Sequence, residues 1–392
     1  MALSNNVSAL VPTILARGLR VLRNRVLMTR MINLDYSREA RQKGDTIDIP
    51  IASARTATDV VPAAVSSDPE NSNISKVQVT LNNWKKANFG LTDSEMGRIS
   101  ANKDFLPLQM EEAFQALASK INQSVFSEYK GIYGYVGTAG TTPFGTGIEV
   151  KSATDARKLL NLQKSPREKR RAVLDFDAEA QALGLAPFSD AEKTGSSDTK
   201  ITGEIGRKFG IDWFADDDVP THSAGTVGGD GTTATVIKSA TPHALAVKSL
   251  SVTVGATNGL NLFQGDILTI AGDSQTYVVT ADVSQSAGLD VSIAIEPGLK
   301  VALSGSEEIQ CKQSHVVNLA FHRDAFALAM RAPGEGVSEL VQRPNSFTIS
   351  DPYSGLVMRL EIIDQYKQTM WELDALWGVK LVRPELAVRI AG

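Results

Sequence analysis

The stretch WFADDDVPTHSAGTVGGDG, residues 213–231, holds the residue types most able to do chemistry. Asp216, Asp217 and Asp218 stand in a row just ahead of His222, and a glycine-rich run follows. Carboxylates beside an imidazole suit a metal ion, and clustered glycines suit a phosphate. A hard cation, however, is wrapped by oxygens at alternating positions with a glycine turn, as in D-x-D-x-D-G. Here the carboxylates are adjacent and the glycines come late, so the run reads as solvated surface charge before Val219–Pro220. His222 reads as a structural, hydrogen-bonding histidine. GGDGTTA copies part of a dinucleotide fingerprint, but no apolar strand precedes it and no helix opens after it, so its amides have no reason to converge on a pyrophosphate.

The remaining candidates are as weak. Cys311 is the only cysteine, at the end of an apparent strand, which excludes an intrachain disulfide and a cysteine-built zinc or iron–sulfur site. The histidines, His222, His243, His315 and His322, include no pair at helical i, i+4 spacing. His322, Arg323 and Asp324 form a polar corner, because three consecutive residues of a strand cannot all face one pocket. There is no G-x-S-x-G, P-loop or HExxH. The expectation is therefore no enzyme, no cofactor and no metal. A net charge of −4 over 392 residues does not suit a protein that coats nucleic acid through many phosphate contacts. No apolar run approaches the roughly 20 residues that cross a bilayer. The first arginines come after and among the apolar residues, unlike a signal peptide, so the reading is a soluble protein in a reducing compartment.

The elements that must position these residues alternate in kind. Residues 5–32 repeat apolar positions at helical spacing, with Arg17, Arg20, Arg23, Arg25 and Arg30 and no acid among them. They read as solvated arginines on a packed helix or as an arm for an acidic partner. GDTIDIPI and KVQVTLNNWKKANFGLT alternate like strands around a polar excursion of about 25 residues, long for a compact domain. A long helix is expected over FLPLQMEEAFQALASKINQSVFSEYKGI, with Leu108, Phe114, Leu117, Ile121 and Val125 on one stripe and Pro107 in its first turn. Helical segments around the strand RAVLDF follow, with the basic run Lys164–Arg171 as a solvated helix end and turn. Residues 245–310 read as short strands between turns, the pattern of a small β-barrel or sandwich set into an α+β host. HVVNLAFHRDAFALAMRAP resumes mixed α/β character, and two apolar strands, GLVMRLEIIDQY and TMWELDALWGVKLVRPELAVRIAG, finish the chain.

GDTIDIPI, VTLNNWKKANFGLTDSE, GRKFGIDWFADDDVPTH, NLAFHRDAFALA and LWGVKLVRPELAVRI resemble, in order and spacing, the major capsid proteins of tailed double-stranded DNA bacteriophages, in the group that carries a β-rich insertion domain. The resemblance runs from residue 44 to the end. It implies an α+β fold divided into an N-terminal arm (1–39), an extended hairpin loop (40–91), a peripheral domain with a spine helix (92–151), an axial domain in two parts (152–221 and 314–345), an inserted β-barrel domain (222–313) and peripheral C-terminal strands (346–392). It implies hexamers and pentamers of an icosahedral procapsid, assembled in the bacterial host cytoplasm and matured on packaging double-stranded DNA. About 40 residues precede the hairpin, so a separate scaffolding protein is expected, besides a portal protein, weak non-specific DNA contact and room for a decoration protein. Arg17, Arg20, Arg23, Lys76, Trp84, Lys85 and Lys86 are the residues expected at contacts between subunits. Alternatives with the same sequence are an encapsulin-like bacterial compartment and, on other grounds, a metal- or carbohydrate-binding protein.

Overall fold

Alternating apolar residues, more than helical spacing, govern this chain, and strands accordingly outnumber helices among the described residues. The structure is a computed structural model that describes residues 26–35, 46–51, 57, 59, 62, 74–95, 105–147, 149–189, 205–227, 236–254, 259–333, 345–351 and 355–392. Arg17, Arg20 and Arg23, and most of the expected hairpin tip, lie outside the described residues.

The long helix runs from Phe105 to Ser127 and continues as a 3-10 turn over Glu128–Gly131. Phe114, Leu117, Ile121 and Val125 are buried on one stripe, as their spacing predicts, against Trp371, Leu373 and Trp377. Each such side chain contributes about 1.5–3 kcal/mol through burial. Trp377 Nε1 donates to Ser124 Oγ at 2.8 Å, which fixes the helix on the sheet beneath it.

That sheet is antiparallel. Its axis is the 14-residue strand Gln368–Leu381, paired with Asn83–Thr92 on one side, and with Val357–Gln365 and Phe326–Arg331 on the other; Ser346–Ser350 extends it. Thr46–Ile51 and Ser75–Thr80 form a separate two-stranded hairpin at its border. A second sheet runs in the order Gly134–Gly137, Ala387–Ala391, His315–His322, Arg170–Leu174, Ile211–Ala215, Gly206–Lys208, with Thr221–His222 also paired to the 315–322 strand. The helix Lys151–Leu162 packs on it through Ala153, Ala156 and Leu160. Six further strands, Val236–Ser239, Ser249–Thr253, Ile267–Ile270, Thr276–Val279, Asp290–Glu296 and Glu308–Cys311, close into a barrel. Leu250, Val252, Leu268, Ile270, Tyr277, Val279, Ile293, Ile295 and Ile309 fill its interior, because alternate residues of a strand point inward.

Three segments differ from their sequence reading. VTLNNWKKANFGLT is two strands, divided at Leu81–Asn82: Ser75–Thr80 pairs with the hairpin and Asn83–Thr92 with the long central strand. A period of two shows that a segment is a strand but does not name its partner. At this division Gly378 lies so close to the hairpin that a Cβ there would stand 2.2 Å from Thr80 O. HVVNLAFHRDAFALAMRAP is not mixed; it is two strands joined by a 3-10 turn at Arg323–Ala325. Its Ala, Leu and Met are good helix formers, and pairing with 376–381 overrides them. The final segment is also two strands, parted by a 3-10 turn at Pro384–Leu386, and Ala387–Ala391 crosses into the second sheet.

Candidate functional site

The aspartate run sits where the Ile211–Ala215 strand meets the long helix, and the structure corrects its reading as solvated charge. Asp216 is buried, accepting from Asn122 Nδ2 at 2.9 Å and from the Asp218 N–H at 2.9 Å. Asp218 accepts from Ser119 Oγ at 3.0 Å, Asn122 Nδ2 at 3.0 Å and Gln123 Nε2 at 2.8 Å. Only Asp217 is exposed. Donors from one face of the helix converge on two carboxylates, so this corner is a clasp rather than a solvated turn. Oxygens of the three aspartates do lie within 4.8 Å of one another. Those of Asp216 and Asp218 already take protein donors, with which a cation would have to compete. Burial pushes the Asp216 carboxyl up to about 6; the hydrogen bonds from Asp218 and Asn122 oppose it, and the neighbouring carboxylates add to it.

Six residues further on, His222 enters a second polar group that joins three parts of the fold. Its Nε2 lies 2.8 Å from Asp266 Oδ1 and its Nδ1 lies 3.0 Å from the Tyr129 hydroxyl. With a carboxylate accepting at Nε2, that nitrogen carries a hydrogen, and in the neutral ring Nδ1 accepts from the phenol. Tyr129 belongs to the turn that ends the long helix, His222 to the strand leading to the barrel, and Asp266 to the turn before a barrel strand. Asp266 also accepts from the Phe263 N–H at 2.8 Å and the Gly225 N–H at 3.1 Å. Gly225 must be glycine, since a Cβ there would meet Asn261 O at 2.0 Å. Arg389, from the last strand, donates through Nη1 to Gly265 O at 2.8 Å and lies 5.0 Å from the centre of the Tyr129 ring.

Tyr129, His222, Asp266 and Arg389 are 6, 3, 0 and 0% exposed. A tyrosine–histidine–aspartate relay resembles a proton-transfer chain, yet its hydroxyl faces protein and offers a substrate no approach. The arrangement holds the barrel, the long helix and the terminal strand together. Burial holds the Tyr129 phenol above its ordinary range, against the lowering effect of the Arg389 charge. Burial likewise brings Arg389 down to about 9, countered by Tyr129 and Asp266.

Sequence reasoning found His222 but missed Asp266, Arg389 and Tyr129. One signal was available: Arg389 is the lone charge inside LAVRIA, an otherwise apolar strand. Asp266 and Tyr129 carry none, since each sits in an ordinary turn. Within the basic run Lys164–Arg171, Arg170 is buried, donating to Ser165 O and Pro166 O, so this part of the run caps its own turn rather than facing solvent. Burial pushes the Cys311 thiol well up, as suits a barrel side chain and not a nucleophile.

The residues expected at subunit contacts gather elsewhere. Lys76 lies on the hairpin, 2.8 Å from Asp48. Trp84, Lys85 and Lys86 lie on Asn83–Thr92, which pairs on one side only among the described residues. Trp84 is 64% exposed, although its Nε1 donates to Asp374 at 3.1 Å. Lys86 pairs with Glu372 at 2.9 Å, and Lys85 is exposed opposite Ala375. The result is an exposed strand edge carrying a large ring and two cations.

No family model and no curated protein matches this chain. Solved structures share its fold. A chain from Mycobacterium phage Che8 aligns over 93% of this chain and 91% of its own, with a TM-score of 0.51 and 12% identity. A chain from the capsid of the cyanophage P-SCSP1u aligns over 89% of this chain and 84% of its own, with a TM-score of 0.50 and 11% identity. The chain therefore has the mixed helix-and-sheet fold of phage capsid structures. No helix among the described residues is long and apolar enough to cross a membrane.

Proposed function

We propose that this chain is the major capsid protein of a tailed double-stranded DNA bacteriophage, a structural protein without catalytic activity. Identical subunits form the hexamers and pentamers of an icosahedral procapsid with a separate scaffolding protein, around a portal, and the shell matures as DNA is packaged. Assembly takes place in the host cytoplasm and the product is the virion capsid. The observation that supports this reading is the likeness of fold to the cyanophage capsid chain over 89% of this chain and 84% of that one. In this reading residues 1–39 are an arm, 40–91 the extended loop, 92–151 and 346–392 the peripheral domain, 152–221 and 314–345 the axial domain, and 222–313 an inserted barrel domain. The exposed edge with Trp84, Lys85 and Lys86, the hairpin with Lys76, and Arg17, Arg20 and Arg23 of the arm meet neighbouring subunits. A slightly acidic subunit suits a container from which DNA must leave, because a strongly basic lining would hold it by counterion release. Co-expression with the scaffolding protein and electron microscopy test the proposal: closed shells are expected, and soluble monomers under all conditions would refute it.

A further inference from the structure

A recess and a projection stand at opposite ends of one strand, Arg170–Leu174. The recess, of about 430 Å³, lies ahead of the strand, and Lys169, Arg323 and Arg383 line it together with Pro50, Phe326 and Val382. Its two acids are already engaged: Asp35 meets Arg323 at 3.4 Å, and Asp324 accepts from Asn33 Nδ2 at 3.1 Å. The side chains of Lys169 and Arg383 pair with no carboxylate among the described residues. Burial lowers the neighbouring His322 imidazole, opposed by Asp324, and the like charges of Lys169, Arg170 and Arg171 lower it further. Positive potential at this place is therefore unrelieved.

The position of Lys169 is fixed. Its φ of 52° lies in the left-handed region, which costs a residue other than glycine. Arg170 beside it is buried and holds the turn, donating to Ser165 O at 2.6 Å and to Pro166 O at 2.7 Å.

The projection begins just beyond the other end of the strand. Phe176 opens the helix Phe176–Leu183 and is 58% exposed, with Asp177 and Glu179 in the first turn. Asp177 is exposed and meets no cation among the described residues. A ring followed by an acid is the counterpart of a recess with cations beside an apolar wall. A nucleic-acid phosphate would use the cations and leave that wall wet, whereas an aromatic ring covers it. A strand rises about 3.3 Å per residue, so the projection and the recess of one copy lie about 20 Å apart and cannot fill each other.

We infer that the Phe176–Asp177 projection of one copy seats in the Lys169–Arg323–Arg383 recess of a second copy, the ring on the apolar wall and the carboxylate toward the cations. Two different surfaces meet in such a contact, so it is heterologous and repeats from copy to copy until a ring closes. A recess and a projection at opposite ends of one strand are placed for that repetition. The contact rests on the capsid reading, in which copies stand in rings.

Sedimentation velocity of the purified full chain tests the contact whether or not shells close. Lys169→Glu and Asp177→Lys should each raise the concentration at which copies associate about tenfold or more, and the chain with both substitutions should return to within about threefold of the unchanged chain. Both positions are exposed, and urea midpoints check that the fold is kept. Should either variant unfold, Phe176→Ser takes its place, with the same weakening expected. Unchanged association in a folded single variant, no recovery in the double variant, or a chain that stays monomeric at every concentration overturns the contact. So does recovery of Lys169→Glu by Asp290→Lys instead of Asp177→Lys, since Leu289 and Asp290 of the barrel present a similar exposed pair. Shells that still close with Lys169→Glu would remove this contact and leave the capsid reading standing; charge-swapped association without any shells would do the reverse.

Discussion

The junction around His222 and the edge around Trp84 are built from similar materials, aromatic rings and paired charges, and behave as opposites. At the junction every member is buried and the partners come from distant parts of one chain, Tyr129, His222, Asp266 and Arg389. On the edge Trp84, Lys85 and Lys86 are exposed on a strand paired on one side. Desolvation makes the difference. A buried polar bond is costly to break because its surviving partner is stranded, whereas an exposed pair is replaced by water at little cost. The first region therefore serves the subunit, and the second is free to serve whatever meets it.

Four substitutions would break or sharpen that contrast. The largest effect is expected from Asp266→Ala, which strands His222 Nε2 and two backbone N–H groups. Unfolding of the isolated subunit in urea should show a loss of about 3–5 kcal/mol, and a change below about 1 kcal/mol would mean that the junction is not what seats the barrel. Tyr129→Phe removes one buried bond and should cost about 1–2 kcal/mol by the same measurement.

Asp216 supplies a test in pH. Its folded value, about 6, lies above the ordinary carboxyl value of 3.8, so the folded state holds this proton more tightly than the unfolded one. The resulting stability is complete below about 4 and is lost as pH rises through about 6. Denaturant midpoints of the unchanged chain should decline over this window by an equivalent of about 3 kcal/mol, and Asp216→Asn should lack that slope; equal slopes would contradict the buried clasp. The smallest effect on the subunit is expected at the edge. Lys85→Glu should move stability by less than about 0.5 kcal/mol while lowering the yield of shells counted by electron microscopy. Unchanged assembly would remove Lys85 from the contact surface.

The fold was more legible in the sequence than the junction. The stripe from Phe114 to Val125 gives the long helix directly, since 3.6-residue spacing is a local property. Short alternating runs between turns give the strands of 245–310 for the same reason. Partners are not local, so VTLNNWKKANFGLT read as one strand although its halves join different sheets. Three adjacent acids look solvated until Ser119, Asn122 and Gln123, 94 to 99 residues away in sequence, are seen to converge on Asp216 and Asp218. Asp266 was invisible for a related reason: nothing in GDILTIAG tells a turn aspartate in water from one beneath a histidine.

Gly378 carries one last consequence. With Thr80 O where its Cβ would be, main chain rests on main chain at the root of the hairpin. That contact works as a fulcrum beneath the two hairpin strands, which Ile47, Ile49 and Val79 hold by apolar packing against Ala327 and Ala329. A single methyl group at 378 would have to push one backbone off the other, since the atom it meets is main chain and not the end of a flexible side chain.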